Sequence, residues 1–568
     1  MKILMINSVC GIRSTGRICT DLAVALEGQG HKVKIAYGRE AVPEQYKRFS
    51  VRIGNETAVK CHGALARLYD ADGRGSVLAT KKFVSWVKEY DPDVVHLHNI
   101  HGYYINTKIL FDYLIKSNKR VIWTLHDMWS FTGHGCTCDM YNCEKWRMGC
   151  EKCPAYRDYP GSLIDKSEEN YRRKQKLFSS VNNLTLVTPS RWLAGLVSES
   201  YLKDKKIKVI PNGIDLKQFY PLKSDFKKAN NIEGKIFLMG CSTWWDTGKG
   251  LEDFYKLAEK LDDRYAIVLV GLDKGQIGEL PKRIIGIERT NSVKELAEIY
   301  SAADIFLNLT YRDNYPTVNL EALACGTPVI TYRTGGSAEC LNEENGRAFN
   351  KGDVDSIVDF LNNEYSADSF RVVPQPSLNK ELAAEQYQNL LGGKGYFQIK
   401  NQYGLLGKIV VLGVAAYWGE RKGLSDFIQL AKDLTNEYAI IMVGVDNEIK
   451  RQLPDNIISI ERTNSQEELR ELYAIADVFV NPTIQDNFPT VNLEAVACGT
   501  PVVTYDTGGS SESAYTPSCV VMKNDYRALK NCLLSRRYEN ALNLSSRWLI
   551  DKKTMAERYE ELYLMQQE

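Results

Sequence analysis

Short apolar runs alternate with amphipathic stretches along this chain of 568 residues. In residues 235–310, the runs KIFLMG, YAIVLVG and IFLNLT are separated by LEDFYKLAEKL and VKELAEIYSAA, whose apolar positions recur at helical spacing. Continuous apolar strands that alternate with helices are typical of a parallel, doubly wound sheet. Residues 1–220 repeat this alternation, with strand-like runs at 2–7, 32–37, 93–99, 121–127 and 184–190. The pattern therefore predicts an α/β fold.

A domain-sized segment occurs twice in the sequence. IERTNS at 287–292 returns at 460–465, and PTVNLEA at 316–322 returns at 489–495, both with an offset of 173 residues. A repeat of this length is a whole domain and not a solenoid unit. The predicted organisation is an N-terminal Rossmann-like domain followed by two copies of a second one. Their predicted ranges are 1–220, 221–391 and 408–568, with a glycine-rich linker at 392–407.

Composition and charge narrow the class of protein. Apolar residues make up 44% and charged residues 25%, the balance of a globular protein with large cores. The net charge is +1, but residues 1–220 carry +12 and residues 221–568 carry −11. This asymmetry suggests an anionic partner for the N-terminal part, such as a phospholipid surface or a polyphosphate-linked substrate, or else an unevenly charged solvated surface.

The sequence contains no apolar run of about 18 residues, so no transmembrane helix is expected. The opening MKILMIN is cut short by polar residues and is not followed by a cleavage site. We therefore expect a cytoplasmic protein with reduced thiols, placed at the inner face of the membrane if the basic region meets lipid.

A glycine-containing loop, Asn7 to Arg17, joins the first predicted strand to a helix. Glycines there let backbone N–H groups approach an anion at the positive end of the helix. Only Gly11 and Gly16 are present, so the loop lacks the G-x-G-x-x-G pattern of dinucleotide-binding domains and gives hydride chemistry little support.

A more specific motif runs from Asp313 to Glu321 and returns as Asp486 to Glu494. In each, two carboxylates eight positions apart flank a proline turn and the first turn of a helix. The turn offers free amides to a diphosphate, and the carboxylates accept hydrogen bonds from sugar hydroxyls. The other interpretation, in which Glu321 is only a surface charge, is disfavoured because the whole motif recurs.

Upstream of each motif, a strand–loop–helix junction carries cations suited to a phosphate. The first copy has Gly248-Lys249, whereas the second has Arg421-Lys422. The sequence therefore predicts one cation at this position in the first copy and two in the second.

Histidines follow two of the predicted N-terminal strands. His126 ends the strand VIWTLHD, and His98 and His101 follow the preceding strand. Doubly wound sheets bind ligands at this carboxyl edge, so we expect His126 to contact substrate. A histidine at such an edge also serves simply to satisfy a local hydrogen bond, which is our expectation for His98 and His101.

These motifs together resemble retaining glycosyltransferases of family four, which have the GT-B fold of two facing Rossmann-like domains. The matching segments are STGR (14–17), HLHNIHGYY (96–104), WTLHDMWSFTGH (123–134), VTPSRWL (187–193) and VIPNGID (209–215), besides both carboxylate motifs. The resemblance covers residues 1–391 as a complete enzyme and 408–563 as an additional donor-binding domain. It is strongest toward the branch that builds colanic-acid-type bacterial surface polysaccharides.

The resemblance implies roles for individual residues. Gly16 would lie near the donor diphosphate, Lys249 would bind its phosphates, and Glu321 would hold the ribose. Asp313, which stands where most relatives have Glu, would bind a hydroxyl of the donor sugar, while His126 would line the reaction centre. His126, Asp313 and Glu321 are thus the expected catalytic residues. In the second copy, the expected donor-binding residues are Arg421, Lys422, Asp486 and Glu494.

The implied reaction is transfer of a sugar with anomeric retention from a UDP- or GDP-linked donor to a glycan or lipid-linked acceptor. Nucleic acid is not an expected partner. No metal is needed in such a reaction, because cationic side chains and a helix N-terminus neutralise the departing diphosphate. The residues indicate no covalent glycosyl-enzyme.

Five cysteines crowd into a short loop-like segment, and the last two have the C-x-x-C spacing of a zinc knuckle. A structural zinc would be held by four of them, whereas the alternative is a set of buried free thiols. The predicted zinc ligands are Cys138, Cys143, Cys150 and Cys153, and the fifth cysteine is Cys136.

The duplication leaves three alternatives open. The first copy forms the working cleft and the second is an accessory domain, or the second copy forms the cleft and the first is a spacer. The third alternative is a nucleotide-sugar-binding scaffold without transfer activity. We favour the first, because that copy follows VIPNGID directly.

Overall fold

The computed structural model describes residues 1–366, 369–370, 372, 378–391, 403–405, 408–487, 489–498, 500–514 and 519–538. The linker predicted at 392–407 lies outside the described residues except for 403–405, as do positions 539–568 of the predicted second copy. The chain divides into two compact units, Met1–Ala384 and Glu385–Glu568. No helix within the described ranges is both long and apolar enough to span a membrane.

Seven parallel strands form the first sheet of the larger unit. They are β1 (Lys2–Ile6), β2 (Lys32–Tyr37), β3 (Ser50–Arg52), β4 (Val94–Leu97), β5 (Arg120–Thr124), β6 (Leu184–Thr188) and β7 (Lys206–Val209). Their spatial order is β3-β2-β1-β4-β5-β6-β7. The connecting helices are α1 (Arg13–Gly28), α2 (Glu56–Tyr69), α3 (Val77–Tyr90), α4 (Thr107–Ser117), α5 (Ser167–Ser179) and α6 (Arg191–Glu199).

The second sheet of this unit has six parallel strands. They are β8 (Ile236–Cys241), β9 (Tyr265–Val270), β10 (Ile284–Ile287), β11 (Ile305–Asn308), β12 (Val329–Tyr332) and β13 (Gly346–Phe349). Their order is β10-β9-β8-β11-β12-β13. The helices are α7 (Phe226–Ala229), α8 (Leu251–Lys260), α9 (Lys274–Gly278), α10 (Val293–Ala302), α11 (Thr317–Ala324) and α12 (Val354–Asp359). A further helix, α13 (Lys380–Leu391), begins in this unit and continues past its last residue, Ala384.

The smaller unit has a third sheet of six parallel strands. They are β14 (Ile409–Val414), β15 (Tyr438–Val443), β16 (Ile457–Ile460), β17 (Val478–Asn481), β18 (Val502–Asp506) and β19 (Val520–Met522), in the order β16-β15-β14-β17-β18-β19. This order is that of the second sheet. The helices are α14 (Leu424–Asp433), α15 (Asn447–Lys450), α16 (Gln466–Ile475), α17 (Thr490–Ala497), α18 (Ser510–Ala514) and α19 (Tyr526–Leu534).

The hydrophobic pattern explains these elements. All six residues of β9, YAIVLV, are buried, because helices cover both faces of the sheet. Amphipathic α8 buries Phe254 and Leu257 against the same sheet and turns its charged residues outward. The predicted α/β fold with parallel sheets is confirmed, and it brings loops at the strand ends together.

Within the larger unit, loops of the second sheet contact the first sheet's helices. Ser190, the N-cap of α6, donates a hydrogen bond to Asn314 Oδ1. Glu339 accepts from the backbone N–H groups of Arg191 and Trp192 at 2.8 and 2.7 Å, so its carboxylate lies at the positive end of α6. Loops of the two sheets therefore meet at the start of α6, and we call the region where they meet the cleft.

Candidate active site

The two residues predicted to bind phosphate and sugar contact each other. Lys249 ends a one-turn 3₁₀ helix after β8, and Asp313 lies in the loop between β11 and α11. Lys249 Nζ lies 2.8 Å from Asp313 Oδ2, with about a fifth of each side chain exposed. The pair therefore presents an ammonium and a carboxylate side by side, suited to a phosphate and a neighbouring hydroxyl.

Glu321 lies on α11, the helix that follows the same loop, and is half-buried. Tyr300 Oη donates a hydrogen bond to its Oε2 at 3.1 Å. Burial raises the pKa of the Glu321 carboxyl, while this hydrogen bond and the charge of Arg17 act in the opposite direction. Arg17 lies on α1 of the other sheet, so Glu321 faces the cleft.

The loop before α1 is held together by its own backbone. Gly16 lies in the first turn of α1, and its carbonyl accepts a hydrogen bond from Gly11 N at 3.1 Å. A Cβ at Gly16 would lie 3.0 Å from Val9 Cγ2, which leaves little room for a side chain. Asn7 Oδ1 accepts from Asn99 N at 3.2 Å and fixes the ends of β1 and β4 together. Gly16 therefore helps to set the shape of the loop. The backbone N–H groups in the first turn of α1 have no partner within the helix itself.

His126 lies at the carboxyl end of β5, as the sequence predicts. Its Nε2 lies 3.0 Å from Nδ1 of His98, a buried residue, which is the local hydrogen bond expected of that histidine. Desolvation lowers the pKa of His126 to about 4, so its imidazole is neutral at physiological pH. His126 can therefore donate or accept a hydrogen bond, but it does not supply a positive charge.

His101 has a different environment from its neighbours. Its Nε2 lies 2.9 Å from Asp127 Oδ2. Burial lowers the pKa of His101, but the attraction of the Asp127 carboxylate outweighs burial and raises it overall. His101 and Asp127 therefore add two polar side chains next to His126 at the carboxyl end of the first sheet.

The cysteine-rich segment of the first sheet lies opposite the Asp313 loop. Burial raises the pKa of Asp139, in the 3₁₀ turn Cys138–Tyr141, and the charges of Lys351 and Asp313 from the second sheet act on the same carboxyl. The charge of Arg312 likewise acts on Tyr141, whose pKa the hydrogen bond to Asp158 raises to about 12. Charges of the Asp313 loop and of Lys351 therefore reach this turn, which we call the opposite wall.

The four predicted zinc ligands are neighbours but do not form a tetrahedral site. Burial raises the pKa values of Cys150 and Cys153 to about 11, and that of Cys138 further, with contributions from the neighbouring thiols. Sulfur atoms around a zinc ion lie about 3.8 Å apart. Within the described part of the chain, the one group with ligand atoms within 4.8 Å of one another contains instead His101, Asp127 and Cys136. The predicted quartet would have to close further to hold a metal.

The predicted second copy, in the smaller unit, has the same local contacts. Lys422 Nζ lies 2.5 Å from Asp486 Oδ2, and Tyr473 Oη donates to Glu494 Oε2 at 3.0 Å. Arg421 bonds to a neighbouring tyrosine hydroxyl. These residues assemble a site like that formed by Lys249, Asp313 and Glu321.

Two arginines near these side chains, Arg17 and Arg312, are not individually indicated by the sequence motifs. Arg17 belongs to the quoted STGR segment, directly after Gly16, which was the available signal. Arg312 directly precedes Asp313, but its contact with the Lys249 loop depends on how the chain folds back.

Three models of glycosyltransferase domains match successive parts of the chain. Residues 15–218 match a model described as Glycosyltransferase Family 4, and residues 235–364 and 397–527 each match a model described as Glycosyl transferases group 1. The described residues of the larger unit thus contain one match of each type.

Individual proteins agree with these matches. The chain is 25% identical over 406 residues to a relative named for colanic acid biosynthesis, the glycosyl transferase WcaC of Escherichia coli K12, covering 69% of this chain and 98% of the relative. It is 32% identical over 162 residues, a quarter of this chain and 40% of the relative, to the N,N'-diacetylbacillosaminyl-diphospho-undecaprenol alpha-1,3-N-acetylgalactosaminyltransferase of Campylobacter jejuni.

A solved structure supports the fold. Sucrose-phosphate synthase from Thermosynechococcus elongatus superposes with a TM-score of 0.51 at 17% identity, covering 70% of this chain and 99% of that one. With two parallel sheets in one unit and successive matches to a family-four model and to group 1 models, the chain is built from glycosyltransferase domains of the GT-B type.

Proposed function

We propose that the protein is a retaining hexosyltransferase that moves a sugar from a nucleotide-diphosphate donor to a glycan or lipid-linked glycan in the synthesis of a bacterial surface polysaccharide. The observation that carries the proposal is the Lys249–Asp313 pair at 2.8 Å, in a loop whose next residue, Asn314, bonds to Ser190 of the other sheet. A phosphate and a sugar bound to Lys249 and Asp313 would therefore lie next to the N-terminal domain. The similarity to WcaC supports the polysaccharide assignment.

The proposed reaction is a substitution at the anomeric carbon. An acceptor hydroxyl oxygen bonds to this carbon from the face that the diphosphate leaves, while the carbon–oxygen bond to the diphosphate breaks. The acceptor proton passes to a departing phosphate oxygen. Lys249 and backbone N–H groups stabilise the negative charge that develops there, and removal of one such donor typically lowers kcat by about 10²–10³-fold. Neutral His126 hydrogen-bonds the reacting sugar, and Glu321 holds the ribose.

We further propose that residues 221–391 are the working donor domain, and that residues 408–568 are a tandem copy that binds a donor without closing on the N-terminal domain of 1–220. Hydrogen bonds between the first copy and α6 support this division. In the opposite assignment, the second copy would supply the working residues, Arg421, Lys422, Asp486 and Glu494.

Matched substitutions test both proposals. A panel of UDP- and GDP-sugars first identifies a donor, because a bound ligand raises the apparent Tm. With that donor, Glu321→Ala should abolish turnover and Glu494→Ala should leave it nearly unchanged. The reverse result would assign the cleft to the second copy.

A non-catalytic scaffold is the alternative function. A transferase hydrolyses its donor slowly in the absence of acceptor, whereas a scaffold binds the donor and leaves it intact. Binding of a nucleotide sugar without any release of free sugar from the wild-type chain would favour the scaffold.

We also propose peripheral association with an anionic membrane through the basic N-terminal domain. Leu65, Leu68 and Tyr69 share one face of α2 and are 44–54% exposed, and Lys60 and Arg67 elsewhere on the same helix are exposed as well. Flotation with vesicles containing anionic lipid should recover the wild-type chain, and the double variant Leu65→Ser/Leu68→Ser should remain unbound. Equal recovery of both would contradict this proposal.

A further inference from the structure

An arginine side chain fills the space beside Gly248 in the first donor site. A Cβ built on Gly248 would lie 2.7 Å from Arg312 Nε and 2.9 Å from Arg312 Cζ. Asp246, the N-cap of the same 3₁₀ turn, forms an ion pair with the Arg312 guanidinium. The guanidinium is thus held against the turn that carries Lys249.

The two copies join these loops by the same hydrogen bonds. Tyr311 N donates to the carbonyl of Gly248 at 2.9 Å, and at the positions 173 residues later Ile484 N donates to the carbonyl of Arg421 at 3.0 Å. The loop before the carboxylate motif therefore lies equally close to the Lys-Gly turn in both copies.

The arginine, however, comes from opposite loops. In the first copy the turn has Gly248 and the facing loop has Arg312, whereas in the second copy the turn has Arg421 and the facing loop has Gln485. Asp246, which holds Arg312, is replaced by glycine at position 419. Each copy therefore has one arginine on one of these two adjoining loops, and the Arg421 side chain of the second copy bonds to the Tyr417 hydroxyl.

The position of Arg312 suits a ligand in the cleft. It precedes Asp313, whose carboxylate contacts Lys249 Nζ. Its charge acts on Tyr141 of the opposite wall. A guanidinium has five N–H donors in a planar fork, so an Arg312 held by Asp246 retains donors for a phosphate.

We propose that Arg312 is the second diphosphate-binding cation of the first donor site and takes the place that Arg421 has in the second copy. This inference rests on the proposed function, since it assumes that a nucleotide diphosphate binds beside Lys249. Asp246 acts through Arg312 and is a positioning residue.

Substitutions that move the arginine from one loop to the other test this proposal. The full chain carries Lys422→Ala, which silences the second site, and UDP and GDP are titrated by calorimetry, with uridine and guanosine as controls. Arg312→Gln should weaken binding of the diphosphate by about 10- to 100-fold and leave nucleoside binding unchanged. The double variant Gly248→Arg/Arg312→Gln moves the arginine to the turn, as in the second copy, and should recover most of the loss.

A reciprocal experiment uses the second site, in a chain in which Lys249→Ala silences the first. Arg421→Gly should weaken diphosphate binding there, and Arg421→Gly/Gln485→Arg/Gly419→Asp should restore it. This set keeps the test valid if Gly248→Arg disturbs folding of the first site.

Different outcomes would contradict the role of Arg312 and the proposed function. Unchanged diphosphate affinity in Arg312→Gln, or exchange variants at both sites that bind no more tightly than their single-loss variants, would overturn the role of Arg312 alone. A wild-type chain that binds neither UDP nor GDP at millimolar concentration would instead refute the proposed function.

Discussion

Ser190 Oγ donates a hydrogen bond to Asn314 Oδ1, and this contact joins the start of α6 to the loop that presents Asp313. The two residues belong to different sheets and are 124 positions apart in the chain. Glu339 reinforces the junction by accepting from two N–H groups of the same helix start. The position of Asp313 is therefore set partly by the N-terminal domain.

Loss of this junction should reduce turnover more than donor binding. Asn314→Ala combined with Glu339→Ala should lower kcat by about 10-fold or more, because misplacement of reacting groups by about 1 Å is enough for such an effect. The matched control is Asn487→Ala with Glu512→Ala, the corresponding residues of the second copy. Similar losses in both double variants, measured by steady-state turnover, would contradict assignment of the cleft to the first copy.

Glu321→Gln should stabilise the protein at neutral pH. Burial raises the pKa of Glu321 above its ordinary value of 4.5, so the folded state binds its proton more tightly than the unfolded state. Ionisation of Glu321 therefore lowers the free energy of unfolding as pH rises, and this penalty is absent where both states are protonated. We expect a gain on the order of 1 kcal/mol at pH 7.

Chemical denaturation across a pH series provides the measurement. The difference between Glu321→Gln and the wild type should shrink as pH falls toward and below 4.5. The same variant should lose donor binding, since an amide is a weaker acceptor for ribose hydroxyls than a carboxylate. A variant that is less stable than the wild type at pH 7 would show that the carboxylate is instead stabilised by its partners.

His126 should contribute to turnover as a neutral hydrogen-bonding group. His126→Ala is expected to lower kcat by about 10²-fold without changing the affinity for the nucleoside diphosphate, because the proposed partner of the imidazole is the reacting sugar and not the diphosphate. Desolvation keeps the pKa of His126 near 4, so the rate should show no step from this residue between about pH 5.5 and 8. A wild-type step near pH 6.5 that disappears in His126→Gln would contradict the neutral assignment.

The sheets were predictable because their strands are continuous apolar runs, as in YAIVLVG at 265–271, separated by amphipathic helices. Lys249 and Asp313 were also predicted independently as ligand-binding residues, and their side chains lie in contact. The partner of Gly248 was not predictable, since Arg312 reaches it only after β11 has paired with β8. The effect of the Arg17 charge on Glu321, which lies in the other sheet's domain, likewise depends on domain arrangement and leaves no periodic signal in the sequence.

The final prediction concerns the cysteine-rich segment and distinguishes two possible sets of zinc ligands. If Cys138, Cys143, Cys150 and Cys153 close around a structural zinc, the purified chain should contain one zinc per molecule, and the metal would deprotonate thiols whose pKa burial raises to about 11 at Cys150 and Cys153. Cys150→Ser should then lose the metal and lower Tm, whereas Cys136→Ser should retain it. Loss of zinc only in Cys136→Ser would assign the metal to the group with His101 and Asp127, and a wild-type chain without stoichiometric zinc would contradict both arrangements.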